Sequence, residues 1–255
     1  MAAQKVALVT AGTAGLGAQV ARVLAPDFRV VVNYANNSDR AASLLTELSS
    51  IPNTSQHQLS TPRFHSIQAD VSSKTSLQSL VRETLYTMGR LDVVVSNHGW
   101  TRLTNFANLS EGLNDDDWDR CFAFNVKSHL WLMAECRDEL DKNEGCFITT
   151  ASIAGVKPSG SSLPYAVTKA AQIHLAKSLA VVCSPRIRVN SVSPGLMLTE
   201  WGMKFPEAKR EASRNNTKLK RLATVEDVAE QIRTLALSRS ITGQNLLIDG
   251  GLANM

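Results

Sequence analysis

Short apolar runs alternate with longer amphipathic ones from one end of the chain to the other. The segments KVALVT (5–10), RVVVNY (29–34), RFHSIQ (63–68), LDVVVS (91–96), GCFITTAS (145–152), IRVNSVS (187–193) and NLLID (245–249) are rich in Val, Ile and Leu and predict strands. The stretches 15–25, 38–50, 73–87, 117–141, 163–183 and 225–237 predict helices; Leu44, Leu45 and Leu48 mark the apolar side of the second. This alternation predicts an α/β fold, a doubly wound and mostly seven-stranded parallel sheet with right-handed crossovers and helices on both faces. No linker rich in Pro, Gly or Ser divides the chain and no repeat is visible, so one domain over 1–255 is expected. Two polar interruptions stand out. Segment 51–62, IPNTSQHQLSTP, reads as a surface loop before the third strand, and 196–221 separates the sixth strand from the last helix.

Composition narrows the function classes. With 255 residues, 44% hydrophobic and 20% charged, the chain is an ordinary globular sequence with enough length for a large core. The net charge of +4 is mild and the densest basic stretch, KLKR (218–221), is short, which argues against a nucleic-acid partner. No apolar run approaches the ~20 residues that span a bilayer, and MAAQKVALVT runs straight into the first strand, so a cytoplasmic protein without a membrane partner is expected. Cys121, Cys136, Cys146 and Cys183 lack C-x-x-C spacing and lie in regular elements. Buried reduced thiols are expected, with no metal site.

After the first strand comes TAGTAGLGAQVARVLA, where Gly12, Gly15 and Gly17, with Thr13 and Leu16 between them, open a helix. Glycines in that position let a diphosphate approach the backbone more closely than a Cβ allows, and the helix N-terminus offers unpaired N–H groups. The end of the second strand bears on which dinucleotide would bind. NAD-specific sites place an acid there for the ribose 2′-hydroxyl. Here Asn33 stands in its place, followed by Tyr34, Asn37, Ser38 and Arg40. Without a carboxylate to repel it a 2′-phosphate is tolerated, and Arg40 can pair with it. NADP(H) is therefore favoured over NAD(H); the alternative for Arg40 is that it only caps a surface helix.

The chain resembles the short-chain dehydrogenase/reductases along nearly its whole length. The markers are the glycine turn at 10–17, ADV at 69–71, SNHG at 96–99, Asn125 in FNV, TTASIAG with Ser152, YAVTK with Tyr165 and Lys169, NSVSPG at 190–195, Thr199, and ITGQNLLIDGG at 241–251. The resemblance implies a Rossmann-type fold and a catalytic tetrad of Asn125, Ser152, Tyr165 and Lys169. Tyr165 would exchange a proton with a carbonyl oxygen, Ser152 would orient that oxygen, and Lys169 would hold the nicotinamide ribose. Asn125 would anchor a water that relays protons to the lysine. A free tyrosine titrates near 10, and a nearby ammonium favours its phenolate; Lys169, four residues on, lies on the same helix face. By the same resemblance Asp70 and Val71 flank the adenine, Asn97 and Gly99 lie beside the cofactor, and Pro194, Gly195 and Thr199 lie along the nicotinamide.

Two positions depart from the family pattern. Ala11 replaces its first glycine, which puts the turn geometry in question. His98 takes a normally small position, where it either contacts substrate or fills space as a neutral ring. Substrate contacts are expected from His98, from Trp100, and from Trp201, Met203 and Phe205 in a polar, lid-like segment 196–221. The expected activity is an NADP(H)-dependent interconversion of ketone and secondary alcohol on a bulky, apolar or aromatic small molecule, by analogy a polyketide-type secondary-metabolite intermediate. The rivals are a fatty-acid-type 3-oxoacyl thioester reductase, which would need a basic patch not obvious in the sequence, and a dinucleotide-binding sensor or non-redox enzyme. The resemblance implies a homo-oligomer, tetramer or dimer, through the helices at 117–141 and 163–183 and the last strand with its tail. Apolar Phe122, Phe124, Leu130, Trp131 and Met133 exceed what one sheet contact needs and fit such an interface.

Overall fold

In the computed structural model, residues 4–52 and 61–253 are described. Their seven strands are β1 (Val6–Val9), β2 (Arg29–Tyr34), β3 (Phe64–Gln68), β4 (Val93–Ser96), β5 (Cys146–Thr150), β6 (Arg188–Pro194) and β7 (Asn245–Ile248). All neighbours pair in parallel in the order β3-β2-β1-β4-β5-β6-β7, so the order reverses between β1 and β4. A crevice opens at the carboxyl ends of strands at such a reversal.

Alternate strand residues face opposite ways, and each set meets its own helices. On one side Val9, Val32, Val95, Ile148 and Val192 pack on α1 (Gly15–Leu24), α2 (Ser38–Ser49) and α8 (Val225–Leu237). On the other, Leu8, Val31, Val94, Phe147 and Val189 pack on α3 (Lys74–Met88), α5 (Ser128–Lys142) and α6 (Leu163–Val182). Each Val, Leu or Phe so enclosed contributes roughly 1.5–3 kcal/mol, which explains why central strands read as unbroken apolar runs. Caps set the helix starts: Asn37, Ser73, Ser162 and Thr224 each accept a bond from a backbone N–H in the first turn.

Two expected elements differ. The helix expected over 117–141 is two, α4 (Asp115–Phe122) and α5, joined by a π-helical turn at Ala123–Lys127. The buried Asn125 sits in that turn, and its side chain bonds to neighbouring segments. The segment 196–221 contains a helix, α7 (Glu207–Asn216), with no buried residue, so it has no apolar period to read. Of the loop expected over 51–62, residues 53–60 lie outside the described ones. Met133 faces the core rather than an oligomer surface, whereas Leu130 is exposed and Phe122, Phe124 and Trp131 are half-buried. The four cysteines are free and buried. Among the described residues no helix is long and apolar enough to cross a membrane, and no cluster of His, Cys, Asp or Glu could hold a metal ion.

Candidate active site

The carboxyl ends of β1, β4, β5 and β6 converge on a cleft of about 670 Å³. One end is the turn from β1 into α1. Ala11 there has φ +46°, the left-handed conformation that glycine takes without cost. It is held because its N–H and that of Gly12 bond to the side chain and the carbonyl of Asn33. The alanine thus keeps the turn at the cost of strain. Ala11→Gly should relieve about 1–2 kcal/mol of strain and give back about half in unfolded-state entropy. The expected net gain is about 0.5–1 kcal/mol, read as a higher thermal midpoint; an unchanged or lower midpoint would contradict the strain.

A Cβ on Gly12 would lie 2.7 Å from the Val9 carbonyl, and one on Gly17 would run into the Ala11 carbonyl. The first residue of α1, Gly15, takes φ +49°, and the preceding Ala14 supplies no side-chain cap, so the first N–H groups of α1 lack one. These features fit the diphosphate of a dinucleotide.

Tyr165 and Lys169 stand on the first turns of α6, which Ser162 caps and whose second residue is Pro164. Tyr165 stays partly accessible from the cleft, yet the protein packed around it pushes its phenol up to about 12, a rise that the hydrogen bond with Ser152 offsets only in part. Desolvation is the largest cause of this rise, and Lys169 Nζ lies 5.6 Å from the ring centre. Tyr165 keeps its proton at neutral pH. Lys169 is buried and donates to the Thr150 carbonyl and the Gln172 amide oxygen, each at 2.8 Å. Burial draws its ammonium down to about 7. A Cβ on Gly99 would crowd the site, lying 3.1 Å from Asn125 Oδ1 and 3.3 Å from Lys169 Nζ. Asn125 accepts from the Trp100 N–H at 2.8 Å and donates to the Trp100 carbonyl and the Thr168 hydroxyl. Its side chain ties the segment after β4 to α6.

His98 does not present a free nitrogen to the cleft. Its ring nitrogens bond to the Thr10 and Ser128 hydroxyls at 2.8 and 2.7 Å, and it stacks on His129 with centroids 4.3 Å apart. Burial, with the Lys169 charge nearby, lowers it to about 3, so the ring is neutral, and it lies in the cleft lining with both nitrogens engaged. Asn33 is likewise turned inward, its amide donating to the carbonyls of Tyr34, Ile67 and Ala69. That corrects its reading as a ribose contact.

Leu16, Asn97, Gly99, Pro194, Gly195 and Thr199 line the cleft, and Thr199 packs against Gly15. Asn97 bonds to the Thr10 and Ala11 carbonyls and to the Thr150 hydroxyl, joining the three strand ends. Gly12, Thr13, Gly17, Tyr34, Asn37, Ser38, Arg40, Asp70 and Val71 fall outside the lining. Asn37 caps α2, Asp70 accepts from Ser72, and Val71 packs on the α3 layer. Arg40 pairs at 3.0 Å with Glu200, a cleft-lining residue of the segment after β6.

At the opposite end Trp100, Trp201 and Phe205 line the wall, the latter two stacked at 5.7 Å. Met203 is turned out, exposed beside Arg210. The sequence offered no signal for Ile153, Leu196, Met197 and Leu252, which complete the apolar wall, because nothing local places them there. It also missed Lys157, Lys204 and Lys209, which reach this end from three segments. Lys209 donates to the Gly160 carbonyl and lies over the Phe205 ring.

A family model described as enoyl-(acyl carrier protein) reductase matches residues 10–253. A protein named as ketoacyl reductase 2 of the granaticin polyketide synthase of Streptomyces violaceoruber is 34% identical over 250 residues, covering 96% of this chain and 95% of its own. A 3-oxoacyl-acyl-carrier-protein reductase of Staphylococcus aureus is 28% identical over 253 residues, covering 97% and 98%. Among solved structures, a short-chain dehydrogenase of Burkholderia cenocepacia in complex with NADP has a TM-score of 0.86 at 29% identity and covers 99% of this chain and 98% of its own. The chain belongs to the short-chain dehydrogenase/reductase family. It is an oxidoreductase acting between C–OH and C=O groups.

Proposed function

We propose that the protein reduces a ketone on a bulky, largely apolar or aromatic compound of polyketide type, with NADPH as donor. The observation that carries this reading is the phenol of Tyr165, protonated at neutral pH, hydrogen-bonded to Ser152 and one helical turn above Lys169 in an aromatic-walled cleft. When bound, the nicotinamide supplies hydride to the carbonyl carbon. Ser152 orients the carbonyl oxygen, Tyr165 gives it a proton, and Lys169 holds the ribose with an N–H turned to the cleft. Trp100, Trp201 and Phe205 exclude water around the ring system of the substrate.

For the cofactor, the support is the absence of a carboxylate at the end of β2 and the presence of Arg40 beyond it. Its guanidinium would exchange the Glu200 carboxylate for a 2′-phosphate. Arg40→Ala is expected to raise KM for NADPH by about 10–100-fold, the worth of a charged hydrogen bond, and to leave NADH within about twofold. Consumption of both reduced cofactors, followed by absorbance over ring ketones, quinones, acyl thioesters and small sugars, tests the whole reading. Equal loss for the two cofactors would remove the 2′-phosphate assignment, and turnover of small sugars alone would remove the substrate class.

Lys157, Lys204 and Lys209 favour a second reading, a 3-oxoacyl thioester delivered by an acidic carrier, since they supply the positive charge that an acidic partner needs. Turnover of carrier-bound thioesters at least tenfold faster than of the free ketones would select it.

A further inference from the structure

One strongly polar buried side chain has no part in the steps above. Gln172 is fully enclosed on α6, three residues after Lys169. Its orientation follows from donor and acceptor types alone. An ammonium has donors only, so the Gln172 atom 2.8 Å from Lys169 Nζ is the amide oxygen. The amide nitrogen then faces the Thr149 hydroxyl, the Thr150 carbonyl at 3.1 Å and His129 Nε2 at 3.0 Å. Because an amide NH₂ only donates, His129 Nε2 accepts, and the ring proton sits on Nδ1, 2.6 Å from Ser96 Oγ. His129 is fully enclosed and held neutral by that burial, which preserves the acceptor. With Thr150 as its second acceptor, the ammonium has two N–H groups directed into the protein and the third left for the cleft that Lys169 lines.

We propose that Gln172 is a positioning residue for Lys169: its amide, oriented by His129 and anchored at the end of β5, supplies one of the two neutral oxygens that hold the ammonium at the cleft floor. The role in catalysis rests on the reading of Lys169 as part of the reductase site. Other titratable groups facing the lysine are Tyr165 on its own helix, Cys121 on α4, His98 after β4 and His129 on α5.

The test is the titration of Lys169 in the free protein. The Nζ resonance of ¹⁵N-lysine-labelled protein is assigned by its loss in Lys169→Met and followed against pH in wild type, Gln172→Leu and Gln172→Glu. Removing the oxygen should lower the Lys169 midpoint by about one pH unit, and a carboxylate should raise it by about one unit or more. Opposite shifts are not expected of a residue that merely fills space. Gln172→Glu has nearly the same shape as the native residue, so it serves even if the leucine variant fails to fold. Midpoints within about 0.3 unit of wild type, or both moved in one direction, would overturn the proposal. NADPH turnover measured on the same variants separates the two ideas. Opposite shifts without any turnover that depends on Tyr165 leave the lysine support standing and sink the reductase reading. Turnover that depends on Tyr165 with unmoved midpoints sinks the Gln172 role alone.

Discussion

Replacing Tyr165 by phenylalanine is expected to lower kcat by about 10²–10⁴-fold, the usual worth of a positioned general acid. NADPH affinity should stay within about twofold, because Tyr165 keeps its ring and the other residues expected to hold the cofactor are untouched. The two side chains differ only by the hydroxyl, so the ring packing is kept and the proton donor is removed. The loss should fall on kcat rather than KM, since the proton is needed only as charge develops on the carbonyl oxygen. The phenol is pushed up to about 12, so wild type should keep the donor through neutral pH and lose it only as pH approaches that value. Steady-state kinetics with a substrate from the ketone panel, alongside NADPH fluorescence titration, check this. A variant retaining a tenth or more of wild-type kcat would remove Tyr165 from the proton transfer.

The second large effect concerns stability. The protein should become acid-labile well above the pH at which carboxylates protonate. His98 titrates near 3 in the folded state and His129 well below its ordinary value, both chiefly through burial, whereas an unfolded histidine titrates near 6.5. As pH falls below about 6.5 the unfolded chain takes up protons that the folded chain refuses, so folding stability drops until pH approaches the folded value. For His98 alone the loss by pH 4 is about 3 kcal/mol, a large share of a typical 5–15 kcal/mol. The stacked rings titrate as a pair, so their separate losses do not simply add. Lys169, drawn down to about 7, acts in the same direction at higher pH. Its unfolded form holds a proton up to about 10.4, so stability rises with pH between these values. Urea midpoints from pH 8 to pH 4 measure the effect. The double variant His98→Asn, His129→Asn should lose less stability over the acid range than wild type. Equal acid slopes in the two proteins would contradict the assignment to this pair.

The legibility of this chain in its sequence followed the locality of the signal. β2 was delimited at Arg29–Tyr34 as expected, and α8 at Val225–Leu237, because an apolar run or a capped apolar period is a property of consecutive residues. The spacing of Tyr165 and Lys169 was legible for the same reason, four residues being one helical turn. The split at Asn125 was not legible. The side chain that shapes it bonds to Trp100 and Thr168, 25 and 43 residues away. Helix α7 escaped because it buries nothing and leaves no period.

Candidate chemistry divides in the same way. The glycine turn and the order of motifs specified an oxidoreductase of this family before any packing was considered. The residue type alone suggested a ligand role for Asn33 that its surroundings withdraw. Asn33 and His98 are polar groups bonded mostly to distant parts of the chain, so burial as well as identity decides what they do. The sequence by itself determined the strand–helix rhythm and the identities of the proton-bearing residues, since these depend on neighbours within a few positions. Only the tertiary structure decided the charge state of Tyr165, Lys169 and the two stacked histidines, and which side chains wall the cleft. Desolvation and hydrogen-bond partners are set by groups that meet in space from distant parts of the chain.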